Sequence, residues 1–152
     1  MKRILLLVAF SLFWGMGERG LAATFIDEAG REVEVKAVPR RIVSVAPSVT
    51  EILFALGLEG RVVGVSTYCQ YPPEARKKEK VGGYINPSLE RIVALKPDLV
   101  IGIAEGDLRT FVDKLAGLKI PVYIANPRNV AEVVASIGKL GAVTFSPEAA
   151  GR

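Results

Sequence analysis

Residues 41–51 read RIVSVAPSVTE, an apolar β-branched run followed at once by a signal for the start of a helix. The run at 42–45 is typical of a buried strand, because β-branched side chains pack well on a pleated surface. Ser48 and Glu51 have the spacing of a capping box, in which Ser48 accepts the Glu51 amide and Glu51 reaches back. Gly57 favours the end of that helix. The stretch therefore predicts a strand, a tight turn and a helix in immediate succession.

The same succession recurs along the chain. Further apolar runs lie at 62–65, 99–103 and 122–125, and segments of helical periodicity separate them. Strands that are apolar throughout and alternate with helices indicate a parallel sheet covered on both faces. Residues 24–35 read as two short alternating strands around a glycine turn. We therefore predict an α/β fold: a single three-layer lobe with a mainly parallel sheet flanked by helices, preceded by a short N-terminal β-hairpin.

Three of the predicted helices carry start or packing signals. Asn86 precedes Pro87, which places a cap residue before a proline at the first helical position and predicts a helix that ends before Pro97. Apolar residues recur at i, i+3, i+4 and i+7 in two later segments, so both sets are expected to face the core. The sets are Leu108, Phe111, Val112 and Leu115, and then Val130, Val133, Val134 and Ile137.

Composition excludes most kinds of catalytic and metal chemistry. The chain of 152 residues has no histidine and a single cysteine, Cys69. It can therefore form no Ser-His or Cys-His dyad, no His-ligated zinc site and no internal disulfide. The sequence also lacks a glycine-rich phosphate loop and an ordered spacing of oxygen ligands. We predict no metal site and no cofactor, which leaves backbone amides, oxygen-bearing side chains and aromatic surfaces.

The N-terminus has the layout of a secretory signal. Two basic residues precede an apolar run at 4–14 that is too short for a comfortable membrane span, and small residues follow at 21–23. We expect residues 1–23 to be a signal peptide, cut after Ala22 or Ala23. No cysteine lies near the cut to carry a lipid anchor, so the expected location is the periplasm. The alternative is a retained anchor or a buried helix.

The charge distribution gives no electrostatic case for a nucleic-acid partner. The chain has 20 Lys and Arg against 16 Asp and Glu, but part of the basic excess lies in the predicted leader. Removing residues 1–23 leaves 17 basic and 15 acidic residues. A balance this small is not the basic footprint that a nucleic acid requires.

Tyr68, Tyr71 and Tyr84 fall in predicted loops, where an aromatic side chain gains little from core packing. They could stack on a flat ligand. Tyr71, beside two prolines, is expected to pack its loop onto the sheet instead. Cys69 is either an inert buried thiol or a soft contact to a ligand.

Charged residues suggest two further sites, each with a plainer interpretation. Glu105 and Asp107 could be paired carboxylates for acid–base catalysis. Asp107 could equally cap the helix that begins at Leu108, which would leave Glu105 without a partner. The mixed run at 76–80 is either a basic docking patch or a solvated surface.

Three motifs taken together resemble a known family. RIVSVAPSVTE at 41–51, YPPE at 71–74 and SLERIVALKPDLV at 88–100 are similar to the N-terminal lobe of the helical-backbone, or class III, substrate-binding proteins of ABC importers. These are periplasmic receptors for vitamin B12, iron-siderophores and haem. The cobalamin-binding branch is the most similar, through TYCQYPPE at 67–74.

The resemblance implies roles for individual residues. Glu90 matches a carboxylate that docks onto arginines of the membrane permease. Ser48 matches a position at a helix N-terminus that offers backbone contacts to the ligand, and Tyr68 and Tyr84 match aromatic positions that line a corrinoid pocket. Ile103 stands where a B12 receptor has tryptophan, which implies a narrower or differently shaped ligand.

The family has two α/β lobes joined by a long helix, with the ligand between them. The resemblance therefore implies an N-terminal lobe at 24–140 and the start of an inter-lobe helix or tail at 141–152. We expect a truncated gene product, or a second lobe on another chain. A single wall would leave much of the ligand in water, so binding should be weak.

The expected function is that of a non-enzymatic receptor component that binds cobalamin or another corrinoid and delivers it to a permease dimer at the inner membrane. A ferric siderophore or haem is the alternative ligand. The alternatives of other classes are a small α/β enzyme that uses Glu105 and Asp107, and a scaffold fragment without ligand.

Overall fold

A computed structural model of the chain describes residues 22–151. The predicted signal peptide, up to residue 21, lies outside the described residues. The strands are β1 (Ala23–Ile26), β2 (Glu32–Val35), β3 (Ile42–Ser44), β4 (Val62–Val65), β5 (Glu79–Lys80), β6 (Leu99–Ile103) and β7 (Val122–Ala125). The helices are α1 (Pro47–Ala55), α2 (Leu89–Ala94), α3 (Leu108–Gly117), α4 (Val130–Val143) and α5 (Pro147–Ala150), and a short 3-10 helix spans Pro73–Lys77.

Five strands form one parallel sheet in the order β5-β4-β3-β6-β7. Neighbouring side chains on each strand enter opposite cores, as Ile42 and Val43 do on β3. One core lies under α1, α4 and the hairpin, and the other lies under α2 and α3. Burial on both faces explains why the strands read as continuous apolar runs. The predicted three-layer α/β lobe is confirmed. Strand β5 was not predicted, because its two residues are charged and do not form an apolar run.

The N-terminal hairpin forms a separate antiparallel sheet of β1 and β2, with Ala23 opposite Val35 and Ile26 opposite Glu32. Gly30 supplies the turn with a φ of 78°, a conformation that L side chains rarely adopt. The amide of Glu28 donates to the carbonyl of Ile124 over 2.9 Å. The turn of the hairpin therefore sits against the outer edge of β7.

Helix α1 starts differently from the prediction. Its N-cap is Ala46, Pro47 occupies the first turn, and no side chain caps the helix. The predicted capping box of Ser48 and Glu51 is therefore wrong. Proline already has no amide hydrogen to satisfy, so the helix begins one residue before Ser48, which stays exposed inside the first turn.

Helix α2, in contrast, starts later than predicted. Its cap is Ser88, whose hydroxyl accepts the amide of Arg91 over 3.3 Å, and the predicted cap at Asn86 is wrong. A bridge between Gly82 and Pro87 holds the preceding chain extended. The amide of Ser88 donates to the carbonyl of Val81 over 2.7 Å, so the extended pairing reaches residue 88. The helix can therefore begin only after Ser88.

The two predicted apolar stripes have different outcomes. On α3, Leu115 is fully buried and Phe111 and Val112 are half-buried, as expected. On α4, three residues of the stripe are exposed instead: Val130 by 81%, Val133 by 40% and Val134 by 64%.

Helix α4 buries another face, made of Ser136, Leu140, Gly141 and Val143. Gly141 lies so close to α5 that an added Cβ would come within 2.8 Å of the Cβ of Ala150. Docking against α5 and the hairpin therefore sets the rotation of α4. The helix continues to Val143, so the predicted boundary at residue 140 lies within it.

Candidate ligand-binding site

The candidate site lies along one edge of the parallel sheet. Because the five strands are parallel, the segments that follow them emerge together at their carboxyl ends, where ligands of such sheets bind. Tyr68 follows β4, Tyr84 follows β5, and Ile103 is the last residue of β6. Ser48 follows β3 closely, at the start of α1.

Backbone contacts bring Tyr68 and Tyr84 together. The amide of Thr67 donates to the carbonyl of Gly82 over 2.8 Å, and the Thr67 hydroxyl donates to the same oxygen over 3.2 Å. This link joins the segments after β4 and β5. The two tyrosine rings then meet edge to face, with centroids 5.6 Å apart and an interplanar angle of 74°. We call Tyr68 and Tyr84 the tyrosine pair.

The tyrosine pair is open to a ligand. Tyr68 is 61% exposed and Tyr84 is half-buried. Gly83, which precedes Tyr84, leaves room for the Asn86 side chain, since an added Cβ would lie 2.5 Å from the Asn86 Oδ1 atom.

A shallow depression of about 10 Å³ continues from Tyr84. Its lining includes Tyr84, Ile103 and Phe111, with Glu105 and Asp107 among its other residues. Ser48 does not line this depression. The structure thus joins Tyr68, Tyr84 and Ile103 into one surface and leaves Ser48 at its side.

Cys69 lies beneath the loop that carries Tyr68. Its thiol is fully buried, 3.1 Å from the Thr50 hydroxyl and 3.3 Å from the Ser66 hydroxyl. Thr50 also donates to the Ser44 hydroxyl over 2.8 Å. The inert-thiol interpretation therefore fits the structure, because Cys69 anchors the loop and presents no surface to a ligand. Sequence reasoning missed this cluster, since its members are scattered over three elements.

Tyr71 does not pack as expected. It is 65% exposed, and the loop is held instead by buried residues on either side of it, Cys69 and Ala75.

Cationic side chains of the mixed run at 76–80 donate hydrogen bonds to backbone carbonyls of the same loop. Arg76 donates to the Gln70 carbonyl over 2.9 Å and Lys80 to the Ala75 carbonyl over 3.0 Å. These cations brace the loop, which does not favour the docking-patch interpretation.

A larger cavity among the described residues lies elsewhere. It has a volume of about 620 Å³. It is bounded by β2, by the segments that precede β3, β6 and β7, and by the end of α3. Its lining contains none of the predicted site residues. This is the amino end of the parallel strands, so topology favours the tyrosine edge as the ligand site despite its smaller volume.

The acidic candidates have separate roles. Asp107 caps α3, as predicted, by accepting the amide of Thr110 over 3.2 Å. Hydrogen bonds from the side chain and amide of Thr110 lower the pKa of Asp107, and the charge of Lys114 adds to this. Glu105 is exposed. Glu90 is also exposed and lies in the first turn of α2, where the helix dipole favours a carboxylate.

Within residues 22–151, no group of three or more acidic or cysteine side chains is placed to hold a metal ion. None of the helices in that range has the length and hydrophobicity needed to cross a bilayer.

Residues 42–152 match the family model described as periplasmic binding protein. The chain belongs to this family. Periplasmic binding proteins are binders and not enzymes, which confirms the predicted class of protein. The rival enzyme based on Glu105 and Asp107 loses support, since Asp107 is occupied as a helix cap.

Curated relatives of this periplasmic binding protein include two vitamin B12-binding proteins. That of Pectobacterium atrosepticum is 37% identical over 116 residues, which is 76% of this chain and 42% of the relative. That of Yersinia pestis is 37% identical over 110 residues, which is 72% of this chain and 39% of the relative. The chain therefore spans about two fifths of the length of these relatives.

Solved structures of two periplasmic binding proteins are similar to the described lobe. The vitamin B12 binding protein of Vibrio cholerae has a TM-score of 0.68 and 34% identity, over 75% of this chain and 45% of the other. A haem binding protein from Pseudomonas aeruginosa has a TM-score of 0.69 and 32% identity, over 74% of this chain and 41% of the other. The predicted resemblance to the B12, siderophore and haem branch of the family is confirmed.

Proposed function

We propose that the chain forms one wall of the ligand site in the substrate-binding component of an ABC importer, with cobalamin or another corrinoid as the ligand. The observation that carries the proposal is the tyrosine pair, which offers an exposed aromatic surface at the carboxyl edge of the sheet. Aromatic rings of this kind suit a flat, largely apolar macrocycle. The vitamin B12-binding relatives support a corrinoid as the specific ligand.

Ile103 refines the proposed ligand surface. Its half-buried side chain continues the surface from Tyr84. It would offer the ligand an aliphatic contact in place of the tryptophan ring that a B12 receptor has at this position. Ser48, exposed in the first turn of α1 after β3, would add a contact from the same edge of the sheet. The proposed contact area is thus aromatic at one end and aliphatic at the other.

Haem or a ferric siderophore is the second candidate ligand. The similarity to a haem binding protein from Pseudomonas aeruginosa supports it, because the two chains share the fold. The part of the relatives that this chain does not span would supply the opposite wall in either case. The isolated chain is expected to bind weakly, because one wall leaves much of the ligand in water.

The proposal includes export and docking to a partner. Residues 1–23 would direct the chain to the periplasm, and N-terminal sequencing of the exported form tests this by starting at Ala23 or Thr24. Glu90, exposed on α2, would then offer its carboxylate to an arginine of the permease dimer.

Replacing the tyrosine pair tests the ligand site. We expect the double variant Tyr68→Ala, Tyr84→Ala to weaken cyanocobalamin binding by about 1–3 kcal/mol, because it removes the stacking surface. Equilibrium dialysis measures the affinity, and haemin in a parallel series identifies which macrocycle is preferred.

Tyr71→Ala is the matched control, since Tyr71 is equally exposed but lies outside the pair. Its affinity should equal that of the wild type. Equal affinity of the double variant would contradict the site, and binding of neither macrocycle by the wild-type chain would contradict the proposed function.

A further inference from the structure

The turn of the N-terminal hairpin inserts a carboxylate into the body of the lobe. Glu28 lies between β1 and β2, and its side chain is only 7% exposed. One carboxylate oxygen accepts the amide of Asn126 over 2.5 Å. The other accepts the Ser136 hydroxyl over 2.5 Å and lies 3.4 Å from the Lys139 ammonium.

Such a carboxylate is costly to bury unless its oxygens are fully paired. Here all three partners come from the β7–α4 connection and from α4, about a hundred residues away along the chain. Glu28 is therefore a cross-link between the hairpin and the segment formed by the β7–α4 connection and α4. Nearby Asp27 reinforces it by accepting the amide of Ile124 over 3.2 Å.

The cross-link ends at the carboxyl edge of the parallel sheet, where the candidate ligand site lies. Asn126 directly follows Ala125, and Ala125 is the register partner of Ile103. The turn at 126–129 is held at its other end by Asn129, which accepts the amide of Glu132 over 3.0 Å. Glu28 thus holds the near end of this turn, beside Ile103, and the helix cap holds the far end.

We propose that Glu28 is a positioning residue for the ligand site, acting through the amide of Asn126 to hold the turn at 126–129 beside Ile103. The inference rests on the proposed function, because the turn matters to affinity only if the ligand lies at this edge. It assigns a role at the ligand site to one residue of the hairpin turn, Glu28, and to no residue of the strands β1 and β2.

The variant Glu28→Gln in the full chain tests the role. Glutamine keeps the shape but is neutral and has one acceptor oxygen in place of two, so the bond from the Asn126 amide is either lost or no longer charge-assisted. We expect faster hydrogen exchange at Asn126 and roughly tenfold weaker cyanocobalamin binding, as for the loss of a charge-assisted hydrogen bond. Exchange is followed by NMR and affinity by equilibrium dialysis.

Two controls separate positioning from a general loss of stability. Glu32→Gln removes an exposed carboxylate from β2 and should change neither measurement. Val33→Ala removes buried volume from the hairpin, away from Asn126, and should lower Tm while affinity stays at the wild-type value. Equal loss of affinity in Val33→Ala and Glu28→Gln would show a merely structural role and overturn the inference.

Ser136→Ala provides a second route if Glu28→Gln does not fold. It removes one partner and leaves the Asn126 contact in place, so its loss of affinity should be smaller but measurable. Wild-type affinity in Glu28→Gln, with ligand bound by both proteins, would overturn this inference alone. Failure of the wild-type chain to bind either cyanocobalamin or haemin would overturn the proposed function and this inference with it.

Discussion

At the scale of single residues, carboxylates that look alike in the sequence have distinct roles in the structure. Asp98 accepts the amides of Arg40 and Arg41 over 2.8 and 2.9 Å and so fixes the chain that enters β3. Asp107 caps a helix, Glu28 cross-links the hairpin, and Glu90 is exposed. The partner of each carboxylate, and not its type, determines what it does.

Asp107 should stabilise α3 in a pH-dependent way. Its pKa is lowered from 3.8 by Thr110, so the ionised cap contributes stability at neutral pH and loses it as pH falls through the folded-state value. We expect Asp107→Asn, an uncharged cap, to melt slightly below the wild type at pH 7 and together with it at about pH 2–3. Thermal melts across this range measure the difference.

Asp113→Asn serves as the control for this comparison, because Asp113 is an exposed carboxylate on the same helix. At neutral pH, the Tm of Asp113→Asn should differ less from that of the wild type than the Tm of Asp107→Asn does. A gap between Asp107→Asn and the wild type that stayed constant from pH 7 to pH 2 would show that the charge of the cap contributes nothing.

At the scale of elements, the positions of the strands follow from composition, and the starts of the helices do not. The bounds of β4, β6 and β7 coincide with the predicted apolar runs. The starts of α1 and α2 each differ from the prediction, because a proline and the bridge between Gly82 and Pro87 compete with the capping signal. A capping motif specifies a helix start only when the preceding chain is free to adopt it.

Two substitutions distinguish the observed start of α2 from the predicted one. Ser88→Ala removes the hydroxyl that accepts the Arg91 amide and should cost about 1 kcal/mol of unfolding free energy. Asn86→Ala should stay within about 0.5 kcal/mol of the wild type, since Asn86 is an exposed residue of the preceding turn. Urea denaturation measures both, and the reverse order would restore Asn86 as the cap.

At the scale of the whole molecule, long-range docking overrides a local apolar pattern. The valines of α4 satisfy the helical spacing of a core stripe, yet the hairpin and α5 turn Leu140 and Val143 inward instead. Glu28 contributes to this rotation through its bond to Ser136. The cost of the exposed valines is offset by a buried polar link and a second apolar face.

The orientation of α4 can be measured through matched truncations. Leu140→Ala should destabilise the lobe by about 2–5 kcal/mol, because Leu140 is fully buried. Val134→Ala should change stability by less than about 0.5 kcal/mol, because Val134 is largely exposed. Comparable losses in the two variants would indicate that both faces are buried in the folded protein.

The proposed partner gives a prediction at the same scale. Glu90→Gln should leave Tm almost unchanged and weaken association with the permease at low salt. The difference should vanish at about 1 M salt, where the Debye length is about 3 Å. A pull-down with the transporter measures it, with Glu148→Gln as an exposed acidic control on α5. Unchanged association at every salt concentration would remove Glu90 from the interface.

The sequence by itself determined the layered α/β architecture and most of the strands, because apolar runs and helical periodicity are local patterns. It also made Tyr68 and Tyr84 candidates, as aromatic residues in predicted loops, and the family resemblance added Ile103. Their contact was decided by the tertiary structure, through the bond between Thr67 and Gly82. The same holds for the face that α4 buries and for the cross-link from Glu28 to Asn126. The hydrogen bonds behind these features join residues 15 to 108 positions apart, and no local pattern encodes which distant donor will meet a given acceptor.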